Sequence, residues 1–267
     1  MDIQFIDPVP EILAEVKSMT GKGIEFIQKD DLKPYATLKM ARKNMPSHLI
    51  YYKKVHDDII NHIIVHECGH LFRIFKCPEN QRLMTYSTDQ MKNNALKKID
   101  NEIQALSGIL SADQIGHYTN LLYTGLILQL SNLPPDIMIE KWIYDRYPSL
   151  RPLQLKSLNK QLKDSVAGLT EEIRKITLPT ILQASNIMNY AFFHILGLHI
   201  GLDFTRHYSA SPYVEKGEEL AAITENNYAD SHEGDNMMID EWAAFVNISD
   251  WFKWRGFEDV PADYGQT

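Results

Sequence analysis

The sequence predicts a mostly helical α+β fold, and three observations support this. Three short runs rich in β-branched and aromatic residues lie within residues 23–54, separated by turn-forming residues. After residue 57, apolar residues recur mainly at helical spacing, with interruptions at prolines. With 44% hydrophobic and 23% charged residues among 267, the chain can bury a large core.

The first predicted element is a helix over residues 10–20, because its apolar residues are helically spaced and Gly21 follows as a stop signal. The three strand-like runs then predict a small sheet; they read G-I-E-F-I-Q, Y-A-T-L-K-M-A-R and S-H-L-I-Y-Y-K-K. A second helix is predicted from residue 57 to about residue 74. Its isoleucines follow the helical period, and Asp57 and Asp58 place negative charge at its N-terminal end.

The middle of the chain predicts a helical bundle, with helices over residues 90–109, 112–131, 136–147, 153–166, 169–176 and 178–200. Pro134-Pro135 predicts a sharp start for the helix at residue 136. Residues 209–236 are rich in Ser, Glu, Asn and Asp and predict a long surface excursion. Residues 239–257 predict a final helix whose aromatic side chains lie in the core.

Composition and charge exclude several classes of protein. The 27 basic and 35 acidic residues give a net charge of −8 without a basic stripe, so no nucleic-acid partner is expected. No stretch of the chain reaches about 18 apolar residues without a charge, so no membrane-spanning helix is predicted. The first ten residues lack the charge pattern of a signal peptide, and two cysteines cannot form a disulfide framework. We therefore expect a cytoplasmic protein without a membrane partner.

The stretch N-H-I-I-V-H-E-C-G-H-L-F-R, residues 61–73, carries the strongest chemical signal. His66 and His70 are separated by four positions, or about 40° around a helix, so both imidazoles leave the same side, as two ligands of one Zn²⁺ must. Glu67 is the acid of a His-Glu-x-x-His pattern, which takes a proton from zinc-bound water. The alternative, a buried helix with satisfied histidines, is disfavoured because three polar residues on one face would each need a partner.

Two small residues lie between the paired histidines. Gly69 lowers helix propensity by about 1 kcal/mol relative to Ala, and it leaves one flank of the helix bare, where a loop or a strand is expected to approach the metal closely. Cys68 points away from the histidines, which predicts a small buried residue rather than a thiolate ligand.

A catalytic zinc site needs a third protein ligand, and two glutamates compete for this role. Glu140 lies in the first turns of the helix predicted after Pro134-Pro135, which would hold it rigidly. Glu102 lies within an apolar helical stripe 32 residues after His70. The interpretation favours Glu140 and keeps Glu102 as the alternative.

The small sheet followed by His66-Glu67-Cys68-Gly69-His70 resembles the zincin metallopeptidases, in their gluzincin branch, where a later glutamate completes the site. Within that branch the layout is most similar to bacterial ImmA/IrrE-type proteases, over about residues 20–110. The resemblance implies a Zn²⁺ cofactor, His66 and His70 as ligands, Glu67 as general base, and hydrolysis of a peptide bond. The longer C-terminal half departs from the compact family pattern.

The combined interpretation is a cytoplasmic zinc endopeptidase acting on a protein or peptide substrate. It divides the chain into a zincin-like catalytic core at residues 1–110, a helical bundle at 111–208 that completes the active site, and the excursion with its docking helix at 209–267. The run S-H-L-I-Y-Y-K-K is expected to be an edge strand that binds an extended peptide. The alternatives are a catalytically inactive binding module of the same fold and a zinc hydrolase of a small molecule.

Overall fold

The computed structural model describes residues 3–32 and 34–264. Within them the fold is α+β and mostly helical, which confirms the predicted class. The helices are α1 (Val9–Thr20), α2 (Ile60–Phe75), α3 (Asp89–Lys98), α4 (Asp100–Ala105), α5 (Ala112–Arg146), α6 (Arg151–Ala167), α7 (Glu171–Ile176), α8 (Pro179–Ile200), α9 (Val214–Asn227) and α10 (His232–Phe245). The strands are β1 (Gly23–Gln28), β2 (Ala36–Lys39), β3 (Ser47–Tyr52), β4 (Leu83–Tyr86) and β5 (Lys253–Gly256).

The chain forms two compact units, each built from separated segments. The first contains the described residues of Met1–Met84, Met138–Lys160 and Gly256–Thr267. The second contains Thr85–Ile137 and Gln161–Arg255, so α5 and α6 contribute residues to both. These units do not coincide with a sequential division at residues 110 and 208.

The predicted N-terminal sheet is present and has the strand order β1-β3-β2. β1 is parallel to β3, with Gly23 opposite Ser47, and β2 is antiparallel to β3, with Ala36 opposite Tyr52. The run S-H-L-I-Y-Y therefore forms the central strand, and the expectation that it is an edge strand is wrong. The reason is burial: four of the six β3 residues are buried, which suits a strand that is paired on both sides.

The core of the first unit lies between α1, α2, β3 and the C-terminal part of α5. Apolar residues at helical spacing on each helix converge there, and its most deeply buried members include Val16, Ile64, Leu71, Ile143 and Leu150. Helix α2 starts at Ile60, after a 3-10 turn at Lys54–Ile59, close to the predicted position. The helix that carries the histidines is thus fixed on several sides by apolar packing.

Helix α5 runs through Pro134 and Pro135 without a break, which corrects the predicted helix start at residue 136. The φ angle of proline is compatible with a helix, but each proline removes one main-chain hydrogen bond at a cost of about 3 kcal/mol. Burial offsets this cost, because Leu130 and Ile137 on either side of the prolines are fully buried.

A close approach between α2 and α5 occurs at Gly69. A Cβ atom at this position would lie 2.6 Å from Cγ2 of Ile139, well inside contact distance. The bare flank expected at Gly69 is therefore filled by a helix side chain rather than by a loop or a strand. This contact brings the residue after Ile139, which is Glu140, against α2.

The C-terminal quarter differs from the sequence prediction in two places. Residues 209–236 contain helix α9, whose small residues form its contact face: a Cβ on Gly217 would lie 2.4 Å from the Tyr190 ring, and Ala221 is buried. Small residues add little hydropathy, so the sequence pattern does not indicate this face. The segment 239–257 is helical only to Phe245, because Asn247 has a left-handed φ of 61° that ends the helix before β5.

The aromatic side chains of this segment lie mainly in the core, as predicted. Trp242, Trp251 and Phe257 are at most 2% exposed. The indole nitrogen Nε1 of Trp242 donates to Oγ1 of Thr224 at 2.9 Å, which ties α10 to α9. In the described part of the chain, no helix is long and apolar enough to cross a membrane.

His48 is a buried histidine of β3 with a structural role. Its Nδ1 accepts a hydrogen bond from the Ala41 amide at 3.0 Å, and its Nε2 lies 3.2 Å from Oγ1 of Thr20. Burial, reinforced by the positive charge of Lys22, lowers its pKa to about 4. His48 is therefore neutral in the folded protein at pH 7.

We expect Gly69→Ala to destabilise the protein by roughly 1–2 kcal/mol, because overpacking against Ile139 exceeds the gain in helix propensity. Gly116→Ala is the matched control: Gly116 is also helical, but nothing lies within 4 Å of its Cβ position. This control should gain up to about 1 kcal/mol. Urea denaturation measures both, and equal stabilisation by the two changes would contradict the close contact.

The protein should lose stability as the pH falls, in part through His48. The unfolded histidine has a pKa near 6.5 and the folded one a pKa of about 4, so the unfolded state binds more protons between these values. Between pH 7 and pH 5 the loss should be roughly 2 kcal/mol. His48→Gln cannot titrate, so it should show a smaller loss in denaturation at the two pH values, and an identical loss would rule out this origin.

Candidate metal site

Helix α2 carries three histidines at intervals of four residues, and His62, His66 and His70 form a histidine ladder along the helix. The ring centroids of His62 and His66 are 6.2 Å apart, and those of His66 and His70 are 5.1 Å apart. The His62 side chain is 1% exposed, whereas that of His66 is 17% exposed. The ladder therefore starts in the core, and the predicted pair His66 and His70 is partly open to solvent.

Glu140 of α5 enters the core directly beside this ladder. Its side chain is fully buried, and its two carboxylate oxygens contact different histidines. Oε1 lies 2.8 Å from Nδ1 of His66, and Oε2 lies 3.1 Å from Nε2 of His62. The close approach of Ile139 to Gly69 is what allows this placement.

Gln154 of α6 completes the surroundings of the carboxylate. Its amide Nε2 donates to Oε2 of Glu140 at 2.6 Å and to the main-chain oxygen of Glu140 at 2.7 Å. Gln154 is fully buried as well. The Glu140 carboxylate thus has donors on both oxygens.

The Glu140 carboxyl group is ionised in this environment. Burial alone raises its pKa, but the charges and hydrogen bonds of His62 and then His66 outweigh burial and hold the pKa well below its usual range. A carboxylate only accepts hydrogen bonds, so the proton of the shared bond resides on Nδ1 of His66. In a metal-ligating histidine whose Nδ1 is held by a carboxylate in this way, Nε2 is the ring nitrogen that would bind the metal.

The residues therefore fit a zinc ion by the chemistry of their donors. His66 and His70 are imidazoles one turn apart, and a buried carboxylate fixes the ring of the first. Glu67 follows His66 in the chain and is half-buried, as are His66 and His70. The structure brings these three predicted residues together on the partly open side of α2.

The position of Glu140 differs from that of a simple third ligand. Potential ligand atoms of His62, His66 and Glu140 lie within 4.8 Å of one another, and no such group in the described chain joins Glu140 with both His66 and His70. The role of Glu140 as third ligand stays a prediction. The contact that the geometry supports directly is the one behind His66.

Glu102, the alternative third ligand, belongs to the second unit and has a structural partner. Its carboxylate accepts from the main-chain nitrogen of Thr180 at 3.0 Å and from Oγ1 of Thr180 at 2.5 Å. Thr180 lies in the first turn of α8, where main-chain N–H groups need acceptors. None of the candidate ligand groups in the described residues includes Glu102.

Sequence reasoning missed His62 and Gln154 as members of the site. The signal for His62 was present, because it precedes His66 by four residues and so shares its helix face. Gln154 gave no comparable signal, since a single glutamine 14 residues after Glu140 has no diagnostic spacing. Only the fold shows that α6 returns past Glu140.

Cys68 is fully buried, as its structural interpretation predicts. Burial, together with the negative charge of Glu67, raises the pKa of its thiol, which keeps it protonated. Protonated thiols are poor metal ligands. Its role is therefore packing within the core of the first unit.

Comparisons with protein-family models, with curated proteins and with solved structures found no match to this chain.

We expect Glu140→Ala to lose bound zinc and Glu102→Ala to keep it. Glu140→Ala removes the group that fixes the ring of His66, or removes a ligand if Glu140 reaches the metal. Glu102→Ala removes only the acceptor at the start of α8, so it should lower stability by about 1 kcal/mol without affecting the metal. Zinc content per protein after dialysis measures the difference.

Full zinc content in Glu140→Ala would contradict any role of Glu140 at the metal.

Proposed function

We propose that this protein is a zinc-dependent endopeptidase that cleaves a peptide bond in a cytoplasmic protein substrate. The observation that carries the proposal is the 2.8 Å contact between Nδ1 of His66 and the buried Glu140 carboxylate. This contact occupies Nδ1 of His66, so Nε2 is the ring nitrogen that the proposal assigns to the metal. The similarity of His66-Glu67-Cys68-Gly69-His70, preceded by a small sheet, to zincin metallopeptidases supports the reaction type.

In this proposal His66 and His70 hold the zinc ion, with Glu140 as the predicted third ligand or as the carboxylate behind His66. When bound, zinc supplies a Lewis acid that lowers the pKa of water and polarises a carbonyl group. His66 and His70 lie on a half-buried helix face, which would give a substrate access to the metal that they would hold.

Glu67 is the proposed general base and acid. Its carboxylate takes a proton from the attacking water and passes it to the leaving amine, so one residue serves both halves of the hydrolysis. A group with this role must exchange protons readily and must contact solvent, and Glu67 is half-buried rather than fully buried.

An extended peptide is a suitable substrate for the sheet of the first unit. In the described residues, β1 and β2 each pair with β3 and lie at the two edges of that sheet. An edge strand offers main-chain donors and acceptors to a peptide in extended conformation. Recognition through the backbone favours a protein substrate over a small molecule.

We expect Glu67→Gln to keep its zinc and to lose at least about 100-fold in cleavage rate, because an amide cannot accept the proton. New N-termini in cells that express the wild type, compared with cells that express Glu67→Gln, provide the measurement. Glu225→Gln, an exposed change on α9, is the matched control and should cleave like the wild type.

Two results would oppose the proposal. Identical sets of N-termini in the wild type and Glu67→Gln, with zinc bound in both, would indicate a binding module that does not turn over. Identical sets together with Glu67-dependent hydrolysis of small esters or amides would indicate a zinc hydrolase of a small molecule.

A further inference from the structure

We propose that His62 and Gln154 are positioning residues of the metal site, which hold the Glu140 carboxylate in the orientation that fixes the ring of His66. The inference rests on the proposed function in one respect, since it requires a metal at His66. It assigns to two buried residues a role that the His-Glu-x-x-His pattern does not contain.

The first support is the division of hydrogen bonds between the two carboxylate oxygens. Oε2 of Glu140 accepts from Nε2 of His62 at 3.1 Å and from Nε2 of Gln154 at 2.6 Å. Oε1 is left to Nδ1 of His66 at 2.8 Å. With Oε2 engaged by two donors, a rotation of the carboxylate would break both bonds, so Oε1 stays directed at His66.

The second support is the double contact of Gln154. The same amide nitrogen donates to the side chain and to the main-chain oxygen of Glu140. Gln154 therefore ties the carboxylate to its own backbone on α5. This restricts the side-chain torsions of Glu140 more than a single hydrogen bond would.

The third support is that the other polar side-chain atom of each residue forms no hydrogen bond within the described chain. Nδ1 of His62 and Oε1 of Gln154 are buried without a hydrogen-bond partner among the described residues. Burying such atoms lowers stability. The orientation of the carboxylate explains why a buried histidine and a buried glutamine each place their bonded atom on it.

The consequence for the metal is quantitative. Groups that orient a ligating histidine from behind typically contribute a factor of about 10 to 100 in metal affinity. His62 acts through Glu140 and then through His66, so its loss should weaken zinc binding without removing a ligand. The geometry around the metal should change too, because the His66 ring gains freedom.

The test compares zinc dissociation constants, measured by chelator competition, for the wild type, His62→Phe, Gln154→Met and His62→Gln. We expect a rise of about 10- to 100-fold for His62→Phe and Gln154→Met. His62→Gln keeps an amide donor and should return to within a few-fold of the wild type. The visible spectrum of the Co²⁺-loaded protein should shift in the first two variants, because it reports ligand geometry.

Ile64→Val is the matched control for a loss of packing. Ile64 is fully buried on the same helix, and shortening it lowers stability without touching the carboxylate. The control should leave the zinc dissociation constant and the Co²⁺ spectrum unchanged. An equal rise in Ile64→Val, or no rise in His62→Phe and Gln154→Met, would overturn the inference.

A triple variant keeps the test decisive if a single change prevents folding. Replacing His62, Glu140 and Gln154 together by Leu removes every buried polar partner at once, so folding should be retained or improved. Zinc affinity should still fall by at least about 10-fold. A triple variant that binds zinc as tightly as the wild type would overturn the inference.

The outcomes separate this inference from the proposed function. Zinc binding that depends on His62 and Gln154, without any cleavage, would support the inference and oppose the peptidase. Glu67-dependent cleavage, with a zinc affinity that does not change when His62 or Gln154 is replaced, would support the peptidase and oppose the inference. A wild-type protein that binds no zinc would overturn both.

Discussion

The ionised Glu140 carboxylate, held in the core between α2, α5 and α6, is the interaction on which the candidate site of the first unit depends. A buried charge is stable only where donors surround it, so His62, His66 and Gln154 must come together from two other helices. Each of these helices is placed by an apolar contact, such as that of Ile139 with Gly69. Apolar packing thus places the helices, and the placement brings three hydrogen-bond donors to one carboxylate.

Helix α2 contributes both to the apolar core and to the polar cluster around Glu140. One part of α2, with Ile64 and Leu71, belongs to the apolar core, whereas another carries the histidine ladder. The low polarity of the core strengthens the hydrogen bonds of Glu140, because few competing dipoles are present. Stability is lowered where polar atoms lack partners, and the site gains a fixed ring at His66.

The local parts of this structure could be predicted from the sequence, and the long-range parts could not. Periodicity and turn residues predict α1, the three strands and the His66–His70 pair because they depend on near neighbours along the chain. The central position of β3 and the continuity of α5 through Pro134 depend on burial by distant residues. For Glu140 the sequence indicated a residue that the fold brings near the histidines, but the atom that it contacts follows from the packing of α5 on α2.

The segmented composition of the first unit also bears on its assembly at the ribosome. His66 and His70 leave the exit tunnel first, and Glu140 and Gln154 follow some 70 to 90 residues later. At about 5–20 residues per second this delay is roughly 4 to 18 seconds. During that interval the nascent histidines lack their carboxylate, so firm binding of a metal at the proposed site would be deferred until the later helices have been synthesised.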